Sequence, residues 1–154
     1  NEQPFIDESK IGITGGSYGG YTTLMALTYG ADYFTHGVSR APVSDWKLYD
    51  AVYTERYMDT PEENPEGYLR GSSLTYMDKL KGKLYLSHGS IDDNVHMQNS
   101  VQVVDELTDL DKEFEFMLYP DQRHAYRGAK RTHFYKSALR FWFREFLSTS
   151  PDFQ

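Results

Sequence analysis

The chain has 154 residues, enough for one domain with a substantial core, and a net charge of −7 that argues against nucleic acid as a partner. It contains no cysteine, which excludes disulfides, thiolate metal sites and a cysteine nucleophile. No apolar run approaches the length that spans a membrane.

Residues 1–6 read as a loop. Lys10 to Thr14 then form an apolar strand that runs into Gly15-Gly16-Ser17-Tyr18-Gly19-Gly20-Tyr21. Gly15, Ser17 and Gly19 make a G-x-S-x-G turn, the pattern of a nucleophile elbow. Such a turn holds its serine in a strained conformation with the hydroxyl exposed. Side chains two residues to either side would collide with the flanking strand and helix. A Gly-rich turn with an idle serine has the same letters, but the position between a strand and a helix favours the nucleophile. A helix over Tyr18 to Tyr29 carries small residues suited to packing on a sheet, and Gly30 stops it.

Gly37 to Ala41 form a second strand ended by Pro42. Ser44-Asp45 cap a helix that places Trp46, Tyr49, Tyr53 and Tyr57 on one face. Alone, that stripe reads as core packing. Pro61 to Asn64 break the helix, and Pro65 to Lys83 are mixed. Leu84 to Gly89 form a third strand, followed by Asp92-Asp93-Asn94 at the start of a helix over Val95 to Leu110, with Val101, Val104 and Leu107 or Thr108 inward. Phe114 to Tyr119 form a fourth strand closed by Pro120. A loop holding His124 follows, then a long helix over Lys130 to Ser148 with Phe134, Ala138, Phe141, Trp142 and Phe146 on its apolar face. Residues 150–154 are expected to be a loose tail. Alternating strands and helices, with largely apolar strands, predict an α/β fold: about four parallel strands with helices on both faces.

In an open sheet of this kind, ligands gather beyond the carboxyl ends of the strands. Ser17 follows the first strand, Asp92 and Asp93 the third, and His124 the fourth. The order Ser, Asp, His is that of an α/β hydrolase. A serine hydroxyl needs a base within hydrogen-bond reach. Imidazole both takes and returns a proton near neutrality, so His124 is the candidate base. An aspartate orients it. The backbone N–H of Tyr18 is one oxyanion donor. His36 and His133 read as structural or surface residues. His88 and His96 flank the aspartate pair, but without a third convincing ligand they do not predict a metal site. No cofactor is called for.

These residues carry a family resemblance. Gly15 to Tyr21, Ala41-Pro42-Val43-Ser44-Asp45-Trp46, Val52-Tyr53-Thr54-Glu55-Arg56-Tyr57-Met58 and His88 to His96 resemble the dipeptidyl peptidase IV branch of the prolyl oligopeptidase family. The resemblance runs from Asp7 to Leu147. It implies a bacterial serine exopeptidase that cleaves after proline and releases a dipeptide or tripeptide. It places the catalytic acid on Asp92. It also turns the aromatic stripe into a proline pocket of Val43, Trp46, Tyr49, Tyr53 and Val95 with Tyr18, where a flat apolar ring suits an aromatic box. Asn94 matches the asparagine that holds a substrate carbonyl. Two positions depart from the family pattern: Gly16 stands where Trp is usual, and Ala125 where Gly is frequent. Arg40 matches no role.

The resemblance further implies that residues 1–149 are the C-terminal half of an α/β-hydrolase catalytic domain, with residues 150–154 as a tail. An N-terminal β-propeller and the first half of the hydrolase sheet would lie upstream, as would any signal peptide. The partners implied are a peptide substrate and those missing segments. Exposure of the first strand as an edge implies self-association into a homo-oligomer. Taken with the absence of cysteine, the resemblance points to a periplasmic or extracellular setting. An esterase or acylaminoacyl peptidase of the same fold, and a binding or assembly module without turnover, are the alternative readings.

Overall fold

The structure is a computed structural model that describes residues 3–153; Asn1 and Glu2 of the expected opening loop and Gln154 of the expected tail lie outside them. Four strands, β1 (Gly12–Gly16), β2 (His36–Arg40), β3 (Lys83–Gly89) and β4 (Glu115–Tyr119), form one parallel sheet in the order β1-β2-β3-β4. Helix α1 (Tyr18–Leu27) follows β1. Helices α2 (Ala51–Met58) and α3 (Pro65–Gly71) lie between β2 and β3. Helix α4 (Gln98–Asp109) joins β3 to β4, and α5 (Gly128–Leu147) follows β4.

The alternation of side chains along β3 divides the core in two. Leu84 and Leu86 face Leu24 and Leu27 of α1 and Val103 and Leu107 of α4. Tyr85 faces the other way, into a cluster with Val38, Tyr119, Tyr126 and, from α5, Phe134 and Phe141. Helices therefore cover both faces, and each fully buried leucine contributes about 1.5–3 kcal/mol. The apolar face expected for the last helix is the one that packs: Ala138 and Trp142 join Phe134 and Phe141, and Phe146 meets the His36 ring at 5.0 Å. Among the described residues, strand β1 pairs with β2 alone, so its outer edge presents unpaired backbone groups.

Three local expectations are corrected. The single helix after Ser44-Asp45 is broken. Asp45 caps only a short 3-10 turn, Trp46–Leu48, by accepting the Lys47 N–H at 2.9 Å. Asp50 then caps α2 through the Tyr53 N–H at 2.8 Å. Two aspartates offer two starts, and Tyr49 between them is extended.

Helix α4 starts at Gln98 rather than Val95. The Asp92 carboxylate captures the amides of Asn94 and Val95, and the His88 ring binds the Val95 carbonyl, so this stretch is spent on side-chain bonds. The inward face of α4 is Asn99, Ser100, Val103 and Leu107. Val101, expected inside, is 45% exposed, Val104 packs at the core margin and Thr108 is exposed.

The tail is held rather than loose. The Phe153 ring lies under the Arg140 guanidinium at 5.4 Å and near the Lys136 ammonium at 5.8 Å.

Candidate active site

A residue at positive φ follows directly on β1 and β2, Ser17 (φ 58) and Ala41 (φ 44), and another lies two residues beyond β4, Asp121 (φ 58). Such conformations cost of the order of 1–3 kcal/mol each for residues other than glycine, and they gather at this one edge of the sheet. Ser17 (ψ −121) stands at the start of α1. Its N–H bonds to the Arg40 carbonyl at 2.9 Å, and its own carbonyl accepts the Tyr21 N–H at 3.0 Å, so both sides of the strained turn are anchored. A Cβ on Gly15 would lie 2.7 Å from the Gly19 Cα, which explains the first glycine of the motif. The expectation of a clash at Gly19 is corrected: a Cβ there meets nothing within 4 Å. The Tyr18 N–H is the first amide of α1. It has no carbonyl one turn earlier inside the helix, and it sits at the positive end of the helix dipole.

Asp92 is buried and accepts three hydrogen bonds. Oδ1 takes the Asn94 N–H at 3.0 Å and the Val95 N–H at 3.1 Å, and Oδ2 takes His124 Nδ1 at 2.8 Å. Burial pushes the Asp92 carboxyl up. The hydrogen bond to the His124 ring, the His88 ring with its Nε2 3.4 Å from Oδ2, and the Asn94 amide outweigh that effect and hold it well below the ordinary carboxylate range. Asp93 is exposed and pairs with Arg123 instead. The geometry therefore separates two aspartates that are adjacent in sequence.

Because Nδ1 of His124 donates to a carboxylate, Nε2 carries the lone pair in the neutral ring. No hydrogen bond joins His124 to the Ser17 hydroxyl among the described residues. In unliganded sites such bonds are often long and tighten when substrate binds. Ser17 and His124 are nonetheless tied to one residue, Arg40, whose carbonyl accepts the Ser17 N–H and whose guanidinium donates to the His124 carbonyl.

A cavity of about 440 Å³ opens beside Tyr18, the residue after Ser17, and is lined by Tyr18, Tyr21, Trp46, Tyr53, Thr54, Tyr57, Met58 and Gly71. Trp46 is its floor, with the Tyr53 ring stacked at 6.1 Å and the Tyr18 and Tyr21 rings at 5.6 and 5.1 Å. Of the expected pocket residues, Tyr18, Trp46 and Tyr53 line this cavity. Val43 and Val95 lie beneath it, fully buried with Trp46 and Tyr68. Tyr49 packs against Trp46 and Tyr53, and its hydroxyl donates to Asn94 Oδ1 at 2.9 Å. Tyr21 and Tyr57 are wall residues that sequence reasoning missed. Tyr57 belonged to the aromatic stripe, while Tyr21 carried no separate signal.

Two other histidines take structural places. His88 is fully buried. Its Nε2 donates to the Val95 carbonyl at 2.8 Å, and Nδ1 accepts the Ser100 hydroxyl at 2.7 Å. His133 meets the Tyr119 hydroxyl at 3.0 Å. Among the described residues, no group of three His, Asp or Glu is placed to hold a metal ion.

A sequence model of the prolyl oligopeptidase family matches residues 1–149. The chain belongs to that family. It is 42% identical over 146 residues to dipeptidyl aminopeptidase A of Saccharomyces cerevisiae, a match covering 91% of this chain and 16% of that protein. It is 41% identical over 143 residues to prolyl endopeptidase FAP of Homo sapiens, covering 91% of this chain and 19% of the human one. The crystal structure of Porphyromonas gingivalis dipeptidyl peptidase 4 superposes with a TM-score of 0.90 at 45% identity, over 92% of this chain and 20% of the other. The chain thus spans about a fifth or less of the length of these relatives. Within the family frame, one departure of this sequence acquires a physical setting: the space beside Gly16 is taken by the Arg40 guanidinium. Ala125, the other, is exposed.

Proposed function

We propose that this chain is the C-terminal part, residues 1–149, of the catalytic domain of a serine exopeptidase that cleaves after proline near the N-terminus of peptides. The observation that carries the reading is the bond between buried Asp92 and half-buried His124 at the same sheet edge as the strained Ser17 turn.

The chemistry follows from the donors and acceptors in place. Nε2 of His124 takes the Ser17 proton as the hydroxyl oxygen attacks the scissile carbonyl, and the proton is then given to the leaving amine. Asp92 holds the ring in the required tautomer and stabilises the imidazolium. The Tyr18 N–H donates to the developing oxyanion, an interaction worth about 2.7–4 kcal/mol in the transition state. Water on the same His124 then releases the acyl group from Ser17. The aromatic cavity receives the pyrrolidine ring and sheds its water. The Asn94 side-chain amide, its oxygen engaged by Tyr49, is left to donate to a substrate carbonyl.

The remaining parts of such an enzyme would pair with the free edge of β1: the first half of the hydrolase sheet and a β-propeller that selects the free N-terminus. The test is Ser17→Ala in the natural-length protein. Turnover of post-proline chromogenic dipeptides and tripeptides should vanish. A comparison of proline with bulky residues at the cleavage position separates this reading from an esterase or acylaminoacyl peptidase.

A further inference from the structure

Arg40 ends β2 in register with Gly16 on β1 and Ser87 on β3. Its carbonyl accepts the N–H of Ser17 at 2.9 Å. Its side chain reaches the other way, and Nη1 donates to the main-chain carbonyl of His124, a residue 84 positions along the chain. Two surfaces shape the slot in between. On one side the guanidinium lies over the Tyr126 ring at 5.6 Å. Tyr126 is buried and donates its hydroxyl to Ser87 Oγ at 3.2 Å, so this platform is fastened to β3. On the other side is Gly16, where a Cβ would come within 2.8 Å of Arg40 Cζ and Nε. A side chain at Gly16 and the guanidinium at its present place are mutually exclusive.

We propose that Arg40 is a positioning residue: it locks the loop carrying His124 to the turn carrying Ser17, and Gly16 lacks a side chain to leave room for it. The inference rests on the peptidase reading above. The main chain of Arg40 fixes the nucleophile and its side chain fixes the base, so any drift of the His124 loop is resisted at the carbonyl next to the imidazole. Arginine suits the task because its planar cation stacks on an aromatic face while donating. Asp92 sets the orientation of the imidazole ring, and the loop is also held upstream, where the Asp121 N–H donates to the Ser90 hydroxyl at 2.9 Å, the Gln122 carbonyl accepts the Ile91 N–H at 3.1 Å and Arg123 pairs with Asp93, but none of these grips the main chain of His124 itself. Arg40 does. A misplacement of about 1 Å costs up to about 100-fold in rate, which sets the scale of the effect.

The experiment uses the natural-length protein, a proline anilide substrate and active sites counted by fluorophosphonate titration. Counting sites removes any loss that comes only from misfolding. Arg40→Ala is expected to lower kcat per titrated site by about 10- to 100-fold while KM changes less than about threefold, and Arg40→Lys to recover part of the loss. Gly16→Ala is the second variant and avoids any reliance on Arg40→Ala folding well. It should lower kcat by displacing the guanidinium, and the double variant should be no worse than Arg40→Ala alone. Unchanged kcat per site in Arg40→Ala, or additive losses in the double variant, overturns the proposal. Ser17→Ala is run in parallel. If it abolishes turnover while Arg40→Ala keeps the full rate, the peptidase reading stands and the Arg40 proposal falls. If Ser17→Ala retains turnover, both fall.

Discussion

Asp92 meets His124 through Oδ2 at 2.8 Å while its other oxygen is filled by two backbone amides. The carboxylate cannot rotate away from the imidazole without abandoning the Asn94 and Val95 N–H groups. It is a fixed acceptor, and the imidazole inherits its orientation. Asp92→Asn is expected to keep the fold and lower kcat/KM by about 10⁴-fold, the scale for a triad that loses the carboxylate and with it the right tautomer. Steady-state kinetics on a proline anilide checks this.

The same contacts link Asp92 to acid stability. Its folded-state pKa lies below the ordinary carboxylate value, so the folded protein binds this proton less readily than the unfolded chain does. The stabilisation is therefore complete above the unfolded value of about 3.9 and is lost as pH falls from there toward the depressed folded value. Denaturant midpoints measured from pH 5 down to pH 2 should fall more steeply for the wild type than for Asp92→Asn.

Tyr49 and Asn94 form a second fixed pair. Burial, and after it the Asp50 carboxylate, raises the Tyr49 phenol above its ordinary value, so it remains a donor at neutral pH. Tyr49→Phe removes the bond that orients the Asn94 amide. It should raise KM about fivefold with a smaller change in kcat, in keeping with a hydrogen bond worth about 1 kcal/mol.

Trp46 underlies the aromatic cavity and is 6% exposed. Trp46→Ala should cost about 3–5 kcal/mol of stability. Trp46→Phe, which keeps a ring at the site, should retain the fold and lower the preference for proline over alanine at the cleavage position. Competition between the two substrates in one reaction measures that ratio.

The free edge of β1 is the basis of a further expectation. The 154-residue chain expressed alone should self-associate through these unpaired backbone groups, and light scattering should report a mass above that of a monomer. Co-expression with the upstream part of the natural-length protein should suppress it.

Much of this arrangement is readable in the chain because it depends on local rules. The Ser17 turn announces itself through Gly15, whose missing Cβ the Gly19 backbone requires. The apolar strands and the Phe134–Phe141 face of α5 are periodic and long. At two helix starts, side chains outcompete helix propensity. Asp50 supplied a second cap and broke the expected helix at Tyr49, while Asp92 and His88 consumed the amides and carbonyl that would have started α4 early. Both failures lie at the site, and the Asp92 contacts that delay α4 are the ones that hold His124. Arg40 was illegible for another reason. Its partners, the His124 carbonyl and the Tyr126 ring, lie on a distant loop, and only the folded sheet brings them beside Gly16.

The most direct measurement of the central claim is the site of covalent capture. The natural-length protein is treated with a fluorophosphonate, digested, and the modified residue is located by mass spectrometry. The account expects one stoichiometric adduct on Ser17, absent in Ser17→Ala and slowed at least about 100-fold in His124→Ala. Stoichiometric labelling of another residue, or post-proline cleavage that persists in Ser17→Ala, would contradict it.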